Sequence, residues 1–291
     1  MIYEVRHKTC YRYSEPASLS QNELYLYPRS TPVQSVISRH LEISPDPDYL
    51  RGRYDYYGNQ VNEFMVQQTH NELTILAQSK VETSPSPSPD PAATPDWESV
   101  ADRIRNRKTV EDLNACQFLY ESPMVTMKGE VLDYARLSFW HGATVLQGAL
   151  DLTRRIHSEF TYEKGATTVD TPVQDVLRDK RGVCQDFAHL QIACLRSIGL
   201  AARYVSGYLE TNPAPGQEKM IGADGSHAWL SIYIPDIGWV DLDPTNNLIP
   251  AGRHITVAWG RDYGDVTPVR GIVMGGGTHT MLVTVDVMPS V

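Results

Sequence analysis

The stretch Arg181-Gly182-Val183-Cys184-Gln185-Asp186-Phe187-Ala188-His189 decides how the second half of this chain is read. A helical pattern begins at about Cys184 and runs to residue 198, where Gly199 closes it; Gly182 permits a tight approach just before. A thiol in the first turn of a helix sits among free N–H groups at the positive end of the macrodipole. Both favour the thiolate, and the same N–H groups can hold an oxyanion. The bland alternative is that Cys184 is a small buried hydrophobe. Cys194, between Ala193 and Leu195, is read as core, and it lies about 15 Å from Cys184 along the helix, too far for a disulfide. His189 is roughly 140° round the helix from Cys184 and is expected to point away from the thiol. Asp186 is read as a first-turn helix charge.

Downstream, His227 opens a strand pattern over residues 228–234. The turn Pro235-Asp236-Ile237-Gly238 follows, and a return strand over 239–243 ends at Asp243-Pro244. His227 and Asp243 therefore fall at the open ends of one hairpin. A carboxylate there can hold an imidazole through one ring nitrogen and leave the other for a thiol. Taken singly, a surface histidine and a turn-forming Asp-Pro explain the same residues. Asp241, two residues back, shares the parity of Asp243 on a regular strand and is the rival acid.

Further strands are expected at 202–209, 255–259 and 280–287, with helices ahead of them over 144–160 and from Thr171-Pro172-Val173-Gln174, where Thr171 and Gln174 suit a capping box. Residues 1–83 show short alternating runs at 2–7, 23–27, 35–43, 60–67 and 73–81, with Gly58-Asn59 as a two-residue hairpin turn. The expected architecture is α+β: a small β-sandwich over residues 1–83, a Pro-rich connection over 84–96, and a core of helices plus antiparallel sheet over 97–291. The last strand, about 280–287, is free to pack on the N-terminal part. Within that part, Cys10 and His7 have opposite strand parity and form no nucleophile–base pair.

The 291 residues are 41% hydrophobic and carry a net charge of −9. That balance argues against nucleic acid or an anionic membrane as partner, because both call for a basic surface. No apolar run approaches the ~18 residues of a membrane span, and the first residues alternate like a strand, so the expected location is cytoplasmic. Four cysteines in a chain of this length do not make a disulfide framework. No metal-ligand spacing and no phosphate loop is present, so no metal and no cofactor is expected.

The runs 182–189 and 202–208, Ser226-His227-Ala228-Trp229 and Gly238-Trp239-Val240-Asp241-Leu242-Asp243-Pro244-Thr245-Asn246 resemble, in order, the bacterial transglutaminase-like family, which is also described as a cysteine protease family. Gly260-Arg261-Asp262-Tyr263 and Pro268-Val269-Arg270-Gly271 fit its later portion, and residues 1–83 resemble its β-rich N-terminal domain. The resemblance implies a papain/transglutaminase-like core with Cys184 as nucleophile, His227 as base and Asp243 as the acid that orients it. The family's transamidases carry a Trp ahead of the nucleophile; residues 151–183 contain none, which weighs against a strict transamidase. Gln174 and Tyr162 are the candidate second oxyanion donors. The implied chemistry is acyl transfer at an amide of a peptide or protein substrate. Hydrolysis is the first expectation, since water must be excluded for transfer to an amine to win. Transamidation is the second, and a non-catalytic protein-binding module the third.

Overall fold

The computed structural model of the chain describes residues 1–85, 88–211 and 225–290. The first part contains β1 (Ile2–Leu24), β2 (Gln34–Ser44), β3 (Tyr49–Tyr54), β4 (Gln60–Val66) and β5 (His70–Thr83). The expected strands at 2–7 and 23–27 are the two ends of the single 23-residue β1. Pairing with β5 shifts register between Arg12 and Ala17. Before the shift β1 runs beside β5; after it, Ser20–Leu24 runs beside β4. A strand this long cannot stay flat under ordinary twist. The sheet curls into two layers that share β1, with Leu24, Ile43, Phe64, Leu73 and Ile75 closed between them. The sandwich is thus one curled sheet.

The β3–β4 connection differs from the expected two-residue turn. Five residues separate the strands, because the Asp55 carboxylate collects the N–H groups of Tyr57 (2.9 Å) and Asn59 (2.8 Å) and widens the loop. Gly58 takes the left-handed conformation there, at φ 72°.

Among the described residues six α-helices follow: α1 (Trp97–Asn106), α2 (Val110–Cys116), α3 (Glu130–Arg136), α4 (Val145–Glu159), α5 (Val173–Asp179) and α6 (Cys184–Ser197). Capping boxes form at Thr109/Asp112 and Thr144/Gln147. The box expected at Thr171 does not form. Thr171 Oγ1 accepts from the Thr168 N–H (2.8 Å), and the Gln174 amide donates to Thr126 Oγ1 (2.7 Å).

Every residue of α6 from Asp186 to Arg196 is buried, so this helix is the axis of the core. Its interior donors are engaged, while Gln191 Oε1 has no partner among the described residues. Gln191 donates to Ala149 O and Thr153 Oγ1, and Arg196 donates to the carbonyls of Ala202, Tyr120 and Arg261. His189 accepts the Tyr263 N–H at 3.1 Å.

A two-residue parallel pair, β6 (Thr161–Tyr162) and β7 (Arg181–Gly182), lies ahead of α6. After α6 come β8 (Ala202–Leu209), β9 (Ser226–Ile234), β10 (Gly238–Leu242) and β11 (His254–Gly260), an antiparallel sheet in the order β10-β9-β8-β11. The remaining strands, β12 (Val269–Gly275) and β13 (His279–Ser290), leave this sheet and pair with β1. β13 lies along the first half of β1, from Ile2↔Ser290 to Tyr13↔His279, and β12 along the second. Among the described residues, no helix is long and apolar enough to cross a membrane.

Candidate active site

Three local devices set Cys184 in place. Val183 is extended (φ −118°, ψ −179°), so the helix begins at Cys184 itself. The Asp186 carboxylate reaches back to the Val183 N–H at 2.8 Å and takes a hydrogen bond from Thr167 Oγ1 at 2.6 Å. Asp186 is therefore a capping residue as well as a first-turn charge. Gly182 is required by this cap, because a Cβ there would lie 2.7 Å from Asp186 Oδ2. Among the described residues, no side chain caps the first N–H groups of α6, which lie beside the half-buried thiol.

His227 stands at the start of β9 opposite Gly207 of β8. Its Nε2 lies 2.7 Å from Asp243 Oδ2, and its ring is close enough to Cys184 for the sulfur to raise its pKa. With Nε2 given to the carboxylate, Nδ1 is the nitrogen available to the thiol. Trp229, wholly buried, stacks against His227 with ring centroids 6.0 Å apart. Gly207 makes room for that indole, since a Cβ would sit 2.4 Å from it.

Asp243 follows β10 directly and closes a turn by bridging to Leu248. Its oxygens divide the work. Oδ1 accepts the backbone N–H groups of Thr245 (2.9 Å) and Asn246 (3.1 Å) and fixes the turn. Oδ2 faces His227 at 2.7 Å, His254 Nε2 at 2.9 Å and Asn246 Nδ2 at 2.7 Å. The side chains of Asp243, His254 and His227 are 0%, 5% and 9% exposed. Burial disfavours the charged form of Asp243, but the bonds from His227 and His254 outweigh it and hold the carboxyl well below the usual range. Burial likewise pulls His227 down, but its hydrogen bond to Asp243 and the nearby Asp243 and Cys184 charges win, raising it to about 10.

Asp241 is held elsewhere. It accepts from Trp229 Nε1 at 3.0 Å and from Ser231 Oγ. Of the two candidate oxyanion donors, Gln174 is engaged with Thr126. Tyr162 is brought to Cys184 by the β6–β7 pair, close enough for the sulfur's charge to raise its phenol, though burial raises it more. Tyr204, buried against His189, feels the same charge. His254, Asn246 and Tyr204 escaped sequence reasoning. The one signal for His254 was its place at the head of a strand, the position that singled out His227. His227, Asp243 and His254 also offer ligand atoms within 4.8 Å of one another. A cation there would have to displace the two imidazole–carboxylate hydrogen bonds.

Comparison with known proteins gives this geometry a context. Residues 3–82 match the bacterial transglutaminase-like N-terminal region, and residues 141–244 match the transglutaminase-like superfamily. An uncharacterized protein of Mycobacterium tuberculosis is 40% identical over 296 residues, covering 99% of this chain and 92% of its own length. A protein-glutamine gamma-glutamyltransferase of Pseudomonas aeruginosa is 37% identical over 103 residues, which is 34% of this chain and 15% of that protein. The crystal structure of a candidate cysteine protease from Cytophaga hutchinsonii shares the fold, with a TM-score of 0.76 at 20% identity, covering 99% of this chain and 90% of that one. The chain belongs to the transglutaminase-like superfamily and carries the family's β-rich N-terminal region ahead of its core.

Proposed function

We propose that this protein performs cysteine-dependent acyl transfer at an amide bond, with Cys184 as nucleophile, His227 as general base and acid, and Asp243 as the residue that orients His227. The observations that carry the reading are the His227–Asp243 hydrogen bond at 2.7 Å and the nearness of the Cys184 sulfur to the His227 ring, whose pKa it raises. His227, raised to about 10, already holds the thiol's proton on Nδ1 when the Cys184 thiolate attacks the carbonyl carbon. The oxyanion forms near the free N–H groups of α6, with the Tyr162 phenol the nearest candidate for a second donor. His227 then returns its proton to the leaving amine, and a thioester remains on Cys184. Water, deprotonated by His227, attacks the thioester; the acid leaves and the thiol is restored. Asp243 holds its charge throughout and fixes the ring so that Nδ1 faces sulfur.

Hydrolysis of a peptide or protein amide is the primary reaction proposed. A second reading, transfer to an amine, is favoured by the name of the Pseudomonas relative that matches part of the core. The same thioester serves both, so the acceptor decides. A glutamine-containing peptide library, incubated with and without a primary amine and analysed by mass spectrometry, separates them. Cleaved or deamidated products in both arms support hydrolysis, and amine adducts support transamidation. Absence of either product, in protein that alkylates normally at Cys184, would remove the acyl-transfer reading.

A further inference from the structure

A cavity of about 740 Å³ lies behind the site, between the β8–β11 sheet on one side and residues 31–34, 83–84 and 88–89 on the other. Cys184 and His227 do not line it; His254 does. Its size falls in the range of small-molecule pockets, roughly 300–1,000 Å³. Strand pairing sets Arg203, Ser231 and Asp241 abreast on its floor. His254 pairs with Leu209, six residues further along β8, but its ring reaches back to 5.1 Å from that of Trp229, whose Nε1 is bonded to Asp241.

Arg203 is 8% exposed and clamped between two indoles, with its Cζ 3.7 Å from the Trp259 ring centre and 4.2 Å from that of Trp239. Its Nε donates to Ser231 Oγ at 3.4 Å. Among the described residues, its two terminal amino groups meet no acceptor. Asp241 adds charge compensation nearby, but its oxygens are occupied by Trp229 and Ser231. A buried guanidinium with unused amino groups is unfavourable, and a carboxylate accepts two parallel N–H bonds from such an edge. In the same cavity, His254 Nδ1 is buried with no partner. Trp239, Val240, Ile249 and Pro250 supply apolar wall between these points.

We infer that this cavity is a binding site for a small carboxylate with an apolar body, its carboxylate on Arg203 and its body against Trp239 and Ile249. With His254 Nε2–H donating to Asp243, Nδ1 carries a lone pair and accepts an N–H or O–H from the occupant. If Asp243 has the role proposed above, the occupant thereby touches the second histidine that supports it. The binding test itself does not depend on that role.

The full chain is titrated with 3-phenylpropionate, 3-phenylpropanol and 3-phenylpropylamine, and binding is followed by tryptophan fluorescence and by ligand-detected NMR. The acid is expected to saturate, with the alcohol and amine at least about tenfold weaker. R203M should lose about the same factor, and I249W, which fills the cavity from its rim, should abolish binding. If R203M does not fold, I249W decides. Equal binding of the three probes, absence of saturation by the acid, or unchanged binding of the acid in folded I249W would overturn the assignment.

Discussion

Asp243→Asn is the most informative single change, because the two oxygens of Asp243 do different work. If the amide keeps its oxygen at the Oδ1 position, where Thr245 and Asn246 N–H groups converge, its NH2 replaces Oδ2. That NH2 then confronts three nitrogens, His227 Nε2, His254 Nε2 and Asn246 Nδ2. His227 must present a lone pair to it, which moves the ring proton to Nδ1, facing Cys184. A ring in that tautomer cannot take the thiol proton. The expected loss is about 10⁴-fold in turnover, the scale seen when a triad carboxylate becomes an amide, or about 5 kcal/mol of barrier. Stability falls as well. The buried His254 donor loses its acceptor, at ~1–3 kcal/mol, while the exposed Asn246 amide can turn to water. Flipping the amide only transfers the conflict to the turn. The assay is the alkylation rate of Cys184 by iodoacetamide across pH, alongside thermal melting of the same sample. Asp241→Asn is the control, since it disturbs Trp229 and Ser231 and removes no hydrogen bond of His227. A labelling profile in which Asp241→Asn matches or exceeds Asp243→Asn, with both variants folded, would refute the assignment of the orienting acid.

Three further outcomes are expected. Mild iodoacetamide should modify Cys184 ahead of Cys10, Cys116 and Cys194. The last three are buried, and burial pushes Cys194 up to about 12; peptide mapping that finds Cys10 or Cys116 modified first would count against the mechanism. Stability should fall as pH drops from about 6.5 toward 4, because burial holds His7 and His189 at about 4 while the unfolded chain takes up their protons near 6.5, a contribution of roughly 3 kcal/mol each at most. His227, raised to about 10, is protonated in the folded state and only partly so in the unfolded chain near pH 7, so it works in the opposite direction but is outweighed by the two buried histidines; urea midpoints that coincide at pH 7 and pH 5 would contradict this. A chain beginning at Trp97 should fail to fold, because it leaves β12 and β13 without β1; a cooperative melt with intact Cys184 labelling in that truncation would show the opposite.

What could be read without coordinates was whatever local pattern determines. The strand Ala202–Leu209 has the expected bounds, and α4 begins one residue inside its expected start, at a Thr144 cap that the pattern signals. The helix start at Cys184 was legible because Gly182 and the polar first turn announce it. What long-range pairing decides was not. The middle of β1 contains Glu15-Pro16 and polar residues that look like a break, yet β5 and β13 flank one side of the interruption and β4 and β12 the other, making one strand of it. His254 meets Asp243 only because β11 joins the far edge of β8, a pairing no neighbouring residue encodes. Thr171 and Gln174 match a capping box in spacing, but Thr126, 48 residues from Gln174, competes for its amide and wins.

The sharing of β1 between the chain's two ends has a consequence for synthesis. Ile2 is registered against Ser290 and Cys10 against Leu282, so one edge of β1 must wait until β13, more than 250 residues further along the chain, has been translated. At roughly 5–20 residues per second, that wait is on the order of 15–60 s. Throughout it the nascent β1–β5 layer presents an open row of backbone donors and acceptors, the template on which strands of neighbouring chains add. Contacts of such sequence separation also make the final closure slow once the chain is complete. Nascent-chain occupancy by a holdase chaperone should therefore persist until β13 has left the ribosome, and arrest just short of residue 279 should prolong it.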